Sequence, residues 1–226
     1  MPLKKDKAKP KGAVPDQAAR QESLLRQGSE ELGLRGEERS ASLLITYASL
    51  LLQQNQIINL TAIIDPMEVV TKHLLDSLSI AQYVPDGRVV DVGSGGGCPG
   101  IPLAIIRPEN KFVLVEPKNK KADFLKTTIQ TLKLKNIKVI CQRAEGVELE
   151  KKADAIVCRA LGSLSYFVSV AGHMLKKQGR LLAMKGKIPH SELSEIPLGW
   201  EAQEAKKIHV PHLQAERHLI TVRKST

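Results

Sequence analysis

At 226 residues, 42% of them apolar, the chain is long enough to bury a sizeable core, which excludes a small stapled scaffold and favours one principal domain with an appended subdomain. The 34 Lys and Arg against 24 Asp and Glu leave a formal charge of +10, which points to a polyanionic partner. Cys98, Cys141 and Cys158 form no CxxC pair and the N-terminus has no apolar h-region, which excludes a disulfide framework, a zinc knuckle and a secretory signal and reads as a cytoplasmic protein. No stretch reaches the roughly 18 uninterrupted apolar residues of a membrane span. No metal is expected, and a monomer is.

Residues 1–15, rich in Lys and Pro, read as a disordered basic tail. Residues 16–84 read as an N-terminal helical subdomain: sparse apolar residues at helical spacing from Gln17 to Leu34, then SASLLITYASLLLQQNQII, an apolar helix opening at the Ser40 cap, whose apolar residues are core. NLTAIIDP breaks that pattern, and Pro66 opens a further helix, PMEVVTKHLLDSLSIAQYV, at 3.6 spacing. On it His73 and Asp76 lie three apart, so the two side chains can meet on one face.

From residue 85 onward the rhythm changes to short β-branched runs separated by helical segments. RVVDV, KFVLVE, IKVICQ, ADAIVCR and GRLLAMK read as strands, with IPLAII, KKADFLKTTIQTLKL and SYFVSVAGHML as helices. That alternation predicts a doubly wound, mostly parallel α/β sheet over residues 85–226, without internal repeats. KKIHV and RHLITVRK, joined by PHLQAE, read as an antiparallel edge hairpin.

The chemistry concentrates at the carboxyl ends of these strands, where ligands of doubly wound sheets bind. DVGSGGGCPG, residues 91–100, puts five glycines behind the first strand, a density that lets a ligand approach bare backbone. GGGCPG also satisfies the dinucleotide pattern G-x-G-x-x-G, which alone is weak. Pro99 removes a helix-start donor that a pyrophosphate would use, and no GK[ST] is present. Asp91, Glu116 about twenty residues after the loop, and Glu145 after the third strand place three acids at successive strand ends. Glu116 can accept both ribose hydroxyls of an adenosine group, and Glu145, beside the Ala144 main chain, an adenine amino group. Acids there suit a cationic sulfonium better than an anionic dinucleotide, so S-adenosylmethionine is the expected cofactor. An NAD(P)-dependent oxidoreductase is the competing enzyme class, without an identifiable hydride-transfer constellation, and a non-catalytic RNA-binding ribosome-assembly factor is the third reading.

DVGSGGGCPGIPLAIIRPENKFVLVEPKNKKADFL, preceded by NLTAIIDPMEVVTKHLLDSL and followed by CRALGSL, AMKG and ERHLITV, resembles the bacterial RsmG family, also called glucose-inhibited division protein B. The resemblance runs from about residue 40 to 224. It implies a class I S-adenosylmethionine-dependent methyltransferase acting on a guanine N7 of 16S ribosomal RNA, as naked RNA or in the small ribosomal subunit. It implies cofactor contacts at Gly93, Cys98, Ala144, Glu145 and Arg159, with Asp91, Gly95 and Glu116 fitting the fold's pocket. Arg159 and Lys185 are the catalytic candidates, and His73, Asp76, Lys118 and Arg217 are candidates for the RNA side. KNKK, residues 118–121, departs from the family's usual serine-containing stretch. With aromatics at 3% of the chain, RNA binding is expected to rest on phosphate contacts rather than base stacking.

Overall fold

The computed structural model describes residues 17–34 and 38–225; the expected basic tail, residues 1–15, lies outside them. Two helices, α1 (Gln17–Glu31) and α2 (Glu38–Asn55), form the start of a helical layer. A third helical run follows Asp65, whose carboxylate accepts the N–H groups of Met67 and Glu68 as an N-cap, with Pro66 in the first turn. The sheet then alternates with helices: β1 (Arg88–Val92), α5 (Gly100–Ile106), β2 (Lys111–Val115), α6 (Asn119–Thr131), β3 (Ile137–Ile140), β4 (Ala153–Arg159), α7 (Leu164–Ala171), β5 (Leu175–Lys185), α8 (His190–Ser194), β6 (Trp200–Lys207) and β7 (His218–Lys224).

The seven strands lie in the order β3-β2-β1-β4-β5-β7-β6. β1 to β5 pair in parallel, and β7 runs antiparallel to both β5 and β6. The order reverses at β1, so the chain leaves β1 and β4 toward opposite faces and opens a crevice between their carboxyl ends. Period-2 alternation sorts the central strands. Val89, Phe112, Leu114, Ala155 and Val157 share one buried cluster with Leu25, Leu44, Tyr47, Leu51, Ile101 and Leu125. Val90, Val92, Val113, Val115, Ile156 and Cys158 join Phe167 and Val168 of α7 on the other face. Burial on both faces is why the central strands read as almost continuous apolar runs. Among the described residues no helix is long and apolar enough to cross a membrane.

Four expectations need correction. α2 starts at Glu38, so Ser40 sits inside the helix rather than capping it, and the helix ends at Asn55. The run from Pro66 is not one 3.6-period helix: α3 (Pro66–Val69) widens into a π-helical turn over Val70–Leu75 before α4 (Asp76–Leu78) and a 3₁₀ turn at Ala81–Tyr83. The insertion rotates the faces, and such turns concentrate at functional sites. β5 begins at Leu175, ahead of GRLLAMK, with an irregularity opposite Ala153 and Ala155. Finally, the partner of β7 is WEAQEAKK, not KKIHV. Ile208 and Val210 are buried in the core of the helical face, so that β-branched run anchors a loop by its side chains. The true edge strand is almost wholly exposed and rich in Glu and Lys, which suits an edge that must resist further pairing.

Candidate active site

β1 pairs with β2 up to Val92–Val115, and the ladder continues one step into the loop, where the Gly93 and Ser94 N–H groups both donate to the Val115 carbonyl at 2.9 and 3.2 Å. The chain then folds tightly back on itself. Gly93 has φ +72°, a left-handed conformation that strains any side chain, and a Cβ there would stand 2.8 Å from Leu161 Cδ1 in the loop after β4, which would have to shift. Asp91 is fully buried beneath this loop and accepts the Gly100 N–H, the start of α5, at 3.0 Å. Its second oxygen, Oδ1, is buried without a hydrogen-bond partner. Burial pushes the Asp91 carboxyl up to about 7, against the Gly100 N–H and the Arg159 charge, which both favour ionisation.

Glu116 follows β2 and is 4% exposed. Its Oε2 accepts the Gly95 N–H and its Oε1 the Lys118 N–H, both at 2.9 Å. The carboxylate thus ties the glycine loop to the tip of the neighbouring strand and retains lone pairs for a ligand. Lys118 itself is exposed at the start of α6. Beyond β3, Ala144 and Glu145 open a 3₁₀ turn; Ala144 is buried, while Glu145 is exposed and faces Tyr166 of α7, whose hydroxyl donates to it at 3.4 Å.

The helical layer reaches into this loop. Tyr47 of α2, fully buried, donates its hydroxyl to the Gly96 carbonyl at 2.8 Å and lies 3.1 Å from Cys98 Sγ. Sequence reading took Tyr47 as plain core. The available signal was the hydroxyl itself, since a tyrosine on an otherwise apolar helix face needs a polar partner.

At the neighbouring edge the π-turn meets β4 and β7. Arg159 donates from Nη1 to Asp76 Oδ2 and to the Lys72 carbonyl, and from Nη2 to His73 Nδ1, each at 3.0 Å. Arg217 donates from Nε to the other Asp76 oxygen, Oδ1, at 2.7 Å. Four candidates, His73, Asp76, Arg159 and Arg217, therefore form one network, but His73 and Asp76 do not pair as their spacing predicted: the widened turn leaves room for a guanidinium between them. Two guanidiniums against one carboxylate leave one net positive charge. Lys185 stands apart, its ammonium held by Glu192 of α8 at 2.8 Å and by the Gly162 carbonyl at 2.6 Å. Thr61, whose hydroxyl lies 2.8 Å from His73 Nε2, and Glu192, both missed in the sequence, carry no motif and are recruited by the fold alone.

His73 is a neutral acceptor here. Burial, and then the Arg159 charge, lower it to about 4 from 6.5, with Nδ1 accepting from Arg159 and Nε2 bonded to Thr61 Oγ1 at 2.8 Å. The unfolded chain binds a proton at about 6.5 that the folded chain refuses until about 4, so His73 makes stability rise with pH across that window. Asp91 acts oppositely: its folded value of about 7 against 3.8 unfolded keeps a proton on the native state, and its contribution falls as pH rises from about 4 to 7. Relative to the parent protein, His73→Gln is expected to lose the first slope and Asp91→Asn the second. Urea unfolding at pH 4.5, 5.5 and 6.5 checks this through the opposite signs of the two changes.

A family model described as rRNA small subunit methyltransferase G matches residues 40–220. A ribosomal RNA small subunit methyltransferase G from Xanthomonas euvesicatoria is 44% identical over 197 residues, 86% of this chain and 93% of that protein. Its namesake from Stenotrophomonas maltophilia is 45% identical over 88% of this chain and 93% of that one. Among solved structures, a SAM-dependent methyltransferase from Geobacter sulfurreducens in complex with S-adenosyl-L-homocysteine aligns with TM-score 0.51 at 14% identity, over 67% of this chain and 90% of that chain. M. jannaschii TYW2 in complex with AdoMet aligns with the same TM-score of 0.51 at 19% identity, over 66% and 75%. The likeness to these structures establishes the class I methyltransferase fold. Sequence and fold agree, and the chain belongs to the GidB family, rRNA small subunit methyltransferase G.

Proposed function

We propose that the protein methylates ribosomal RNA of the small subunit, at a guanine N7, with S-adenosylmethionine as methyl donor. The observation that carries this reading is the pairing of a buried, doubly anchored Glu116 with the bare glycine loop at the switch point of the sheet, in a chain of this family. The donor set fits the cofactor. Glu116 has acceptor capacity for ribose hydroxyls, Gly93 and Gly95 leave main chain open for an amino-acid moiety, and Asp91 lies beneath it with one carboxyl oxygen unpartnered. Ala144 and Glu145 stand one strand further along, for the adenine ring and its amino group, and Cys98 packs as a small group within the loop.

When bound, the sulfonium supplies an electrophilic methyl group. A guanine N7 offers a lone pair with no proton to remove, so the protein's task is alignment rather than base catalysis. A methyl group accepted at N7 would place positive charge on the base, so a bare cation directly behind the acceptor ring would oppose the reaction. The network provides for this: Asp76 draws Arg159 and Arg217 together and leaves a single net positive charge to hold a phosphate of the incoming nucleotide. Lys185, neutralised by Glu192, acts by fixing the Gly162 carbonyl and with it the loop after β4. Lys118 adds charge at the mouth. The protein works as a cytoplasmic monomer on naked RNA or on the assembled subunit.

Labelled S-adenosylmethionine with small-subunit RNA or subunits from a strain lacking this protein tests the reading, with the product base mapped by mass spectrometry. Incorporation at a guanine N7 is expected, weakening steeply as salt rises. No incorporation into either substrate would favour a non-catalytic assembly factor.

A further inference from the structure

At the opposite end of the sheet lies a second concavity. A groove of about 840 Å³ is lined by Gln82, which precedes β1, by Arg107 and Pro108, which precede β2, by Lys133–Asn136, which precede β3, and by Arg39 and Ser40 of α2. These segments feed the amino ends of the same three strands whose carboxyl ends carry Gly93, Glu116 and Glu145. Strands of four and five residues separate the two ends, about 15 Å of sheet.

Among the described residues the lining holds four cations, Arg39, Arg107, Lys133 and Lys135, and no Asp or Glu. Arg107 is committed elsewhere, to Asp86 and Glu109 and to the carbonyls of Ala81 and Val84. Lys133 and Lys135, both exposed, and Arg39 remain. Lys133 bears a second mark. It sits at the residue after the α6 C-cap with φ +54°, its N–H bonded to the Gln130 carbonyl and the Leu134 N–H to that of Ile129. That is a Schellman turn, whose left-handed position ordinarily takes glycine. A lysine held there against its backbone preference lines the groove.

We propose that this groove binds the phosphodiester backbone of ribosomal RNA, as a second anchoring tract away from the methyl-transfer crevice. The inference rests on the reading of rRNA as substrate and adds where else that RNA is held. Charge decides between occupants. The chain's own first 12 residues carry five lysines against one aspartate, and a second copy carries +10, so both are repelled, whereas phosphates release counterions on binding. Folded rRNA extends well beyond its target nucleotide and can reach both ends of the sheet.

The test uses the full chain and in vitro transcribed small-subunit rRNA. The triple variant Arg39→Gln/Lys133→Gln/Lys135→Gln is expected to raise KM for this RNA roughly tenfold, to leave kcat and S-adenosylhomocysteine affinity unchanged, and to make the slope of log K against log salt shallower by about one per cation removed. A control that loses the same charge elsewhere, Lys151→Gln/Lys177→Gln/Lys207→Gln, is expected to change KM much less. Lys133→Gly alone relieves the left-handed strain, so its melting temperature should not fall while its KM for RNA rises; this separates binding from folding. An unchanged KM and salt slope in the triple variant, beside normal methylation by the parent, would overturn the groove alone. A parent protein that neither binds nor methylates this RNA, nor small subunits from a strain lacking the protein, would overturn both the groove and the function it rests on.

Discussion

Glu116→Ala is expected to weaken S-adenosylhomocysteine binding by roughly a hundredfold or more and to lower kcat/KM by at least as much. A hydrogen bond to an ionised acceptor contributes about 1.5–3 kcal/mol, and about 1.4 kcal/mol is a factor of ten in affinity, so two lost ribose contacts account for that range by themselves. The substitution does more than remove ligand contacts. Glu116 also accepts the Gly95 and Lys118 N–H groups, so alanine strands two donors and frees the loop from β2. Glu116→Gln loses at least one of these four interactions, because its amide nitrogen would confront a backbone N–H, and should fall between alanine and the parent. Isothermal titration gives the affinities. An affinity within threefold of the parent for Glu116→Ala would move the ribose away from this carboxylate.

Asp76→Asn is expected to be the most destabilising single change in the network. Asp76 is 2% exposed at its side chain and holds Arg159 and Arg217, themselves 23% and 26% exposed. Removing one partner of a buried ionic cluster costs about 3–5 kcal/mol, because the remaining charges lose their compensation. In a chain of this size each kcal/mol lowers the melting temperature by about 2–4 °C, so a fall of about 6–20 °C is anticipated. The two guanidiniums would then repel each other, and removing one should help: Asp76→Asn/Arg217→Gln is expected to lose clearly less than the sum of its single variants. Thermal unfolding of the four proteins decides it. Strict additivity would mean that Asp76 does not hold the two arginines as a unit.

Much of the architecture was legible because it rests on periodicity. β-branched runs alternating with helical segments gave the parallel sheet, and continuous apolar strands gave its burial on both faces. The edge misled for a physical reason: Ile208 and Val210 are buried like strand residues yet serve a loop, while WEAQEAKK pairs through its backbone and shows solvent a polar surface. Acids and glycines at strand ends were readable because strand direction alone fixes where those ends point. Pairings were not. Whether His73 meets Asp76 depends on one extra residue in a helical turn, and whether Lys185 is free depends on Glu192, seven positions away in sequence. Tyr47 escaped because hydrophobic patterning counts an aromatic ring and ignores its hydroxyl.

The Tyr47 hydroxyl on the Gly96 carbonyl bears on how the chain can be divided. The helices before residue 85 are not a detachable lid over a self-sufficient catalytic half, because one of them holds a turn of the cofactor loop from outside the sheet. Cutting the chain at the apparent boundary would hand that carbonyl to water and leave the apolar face beneath it wet.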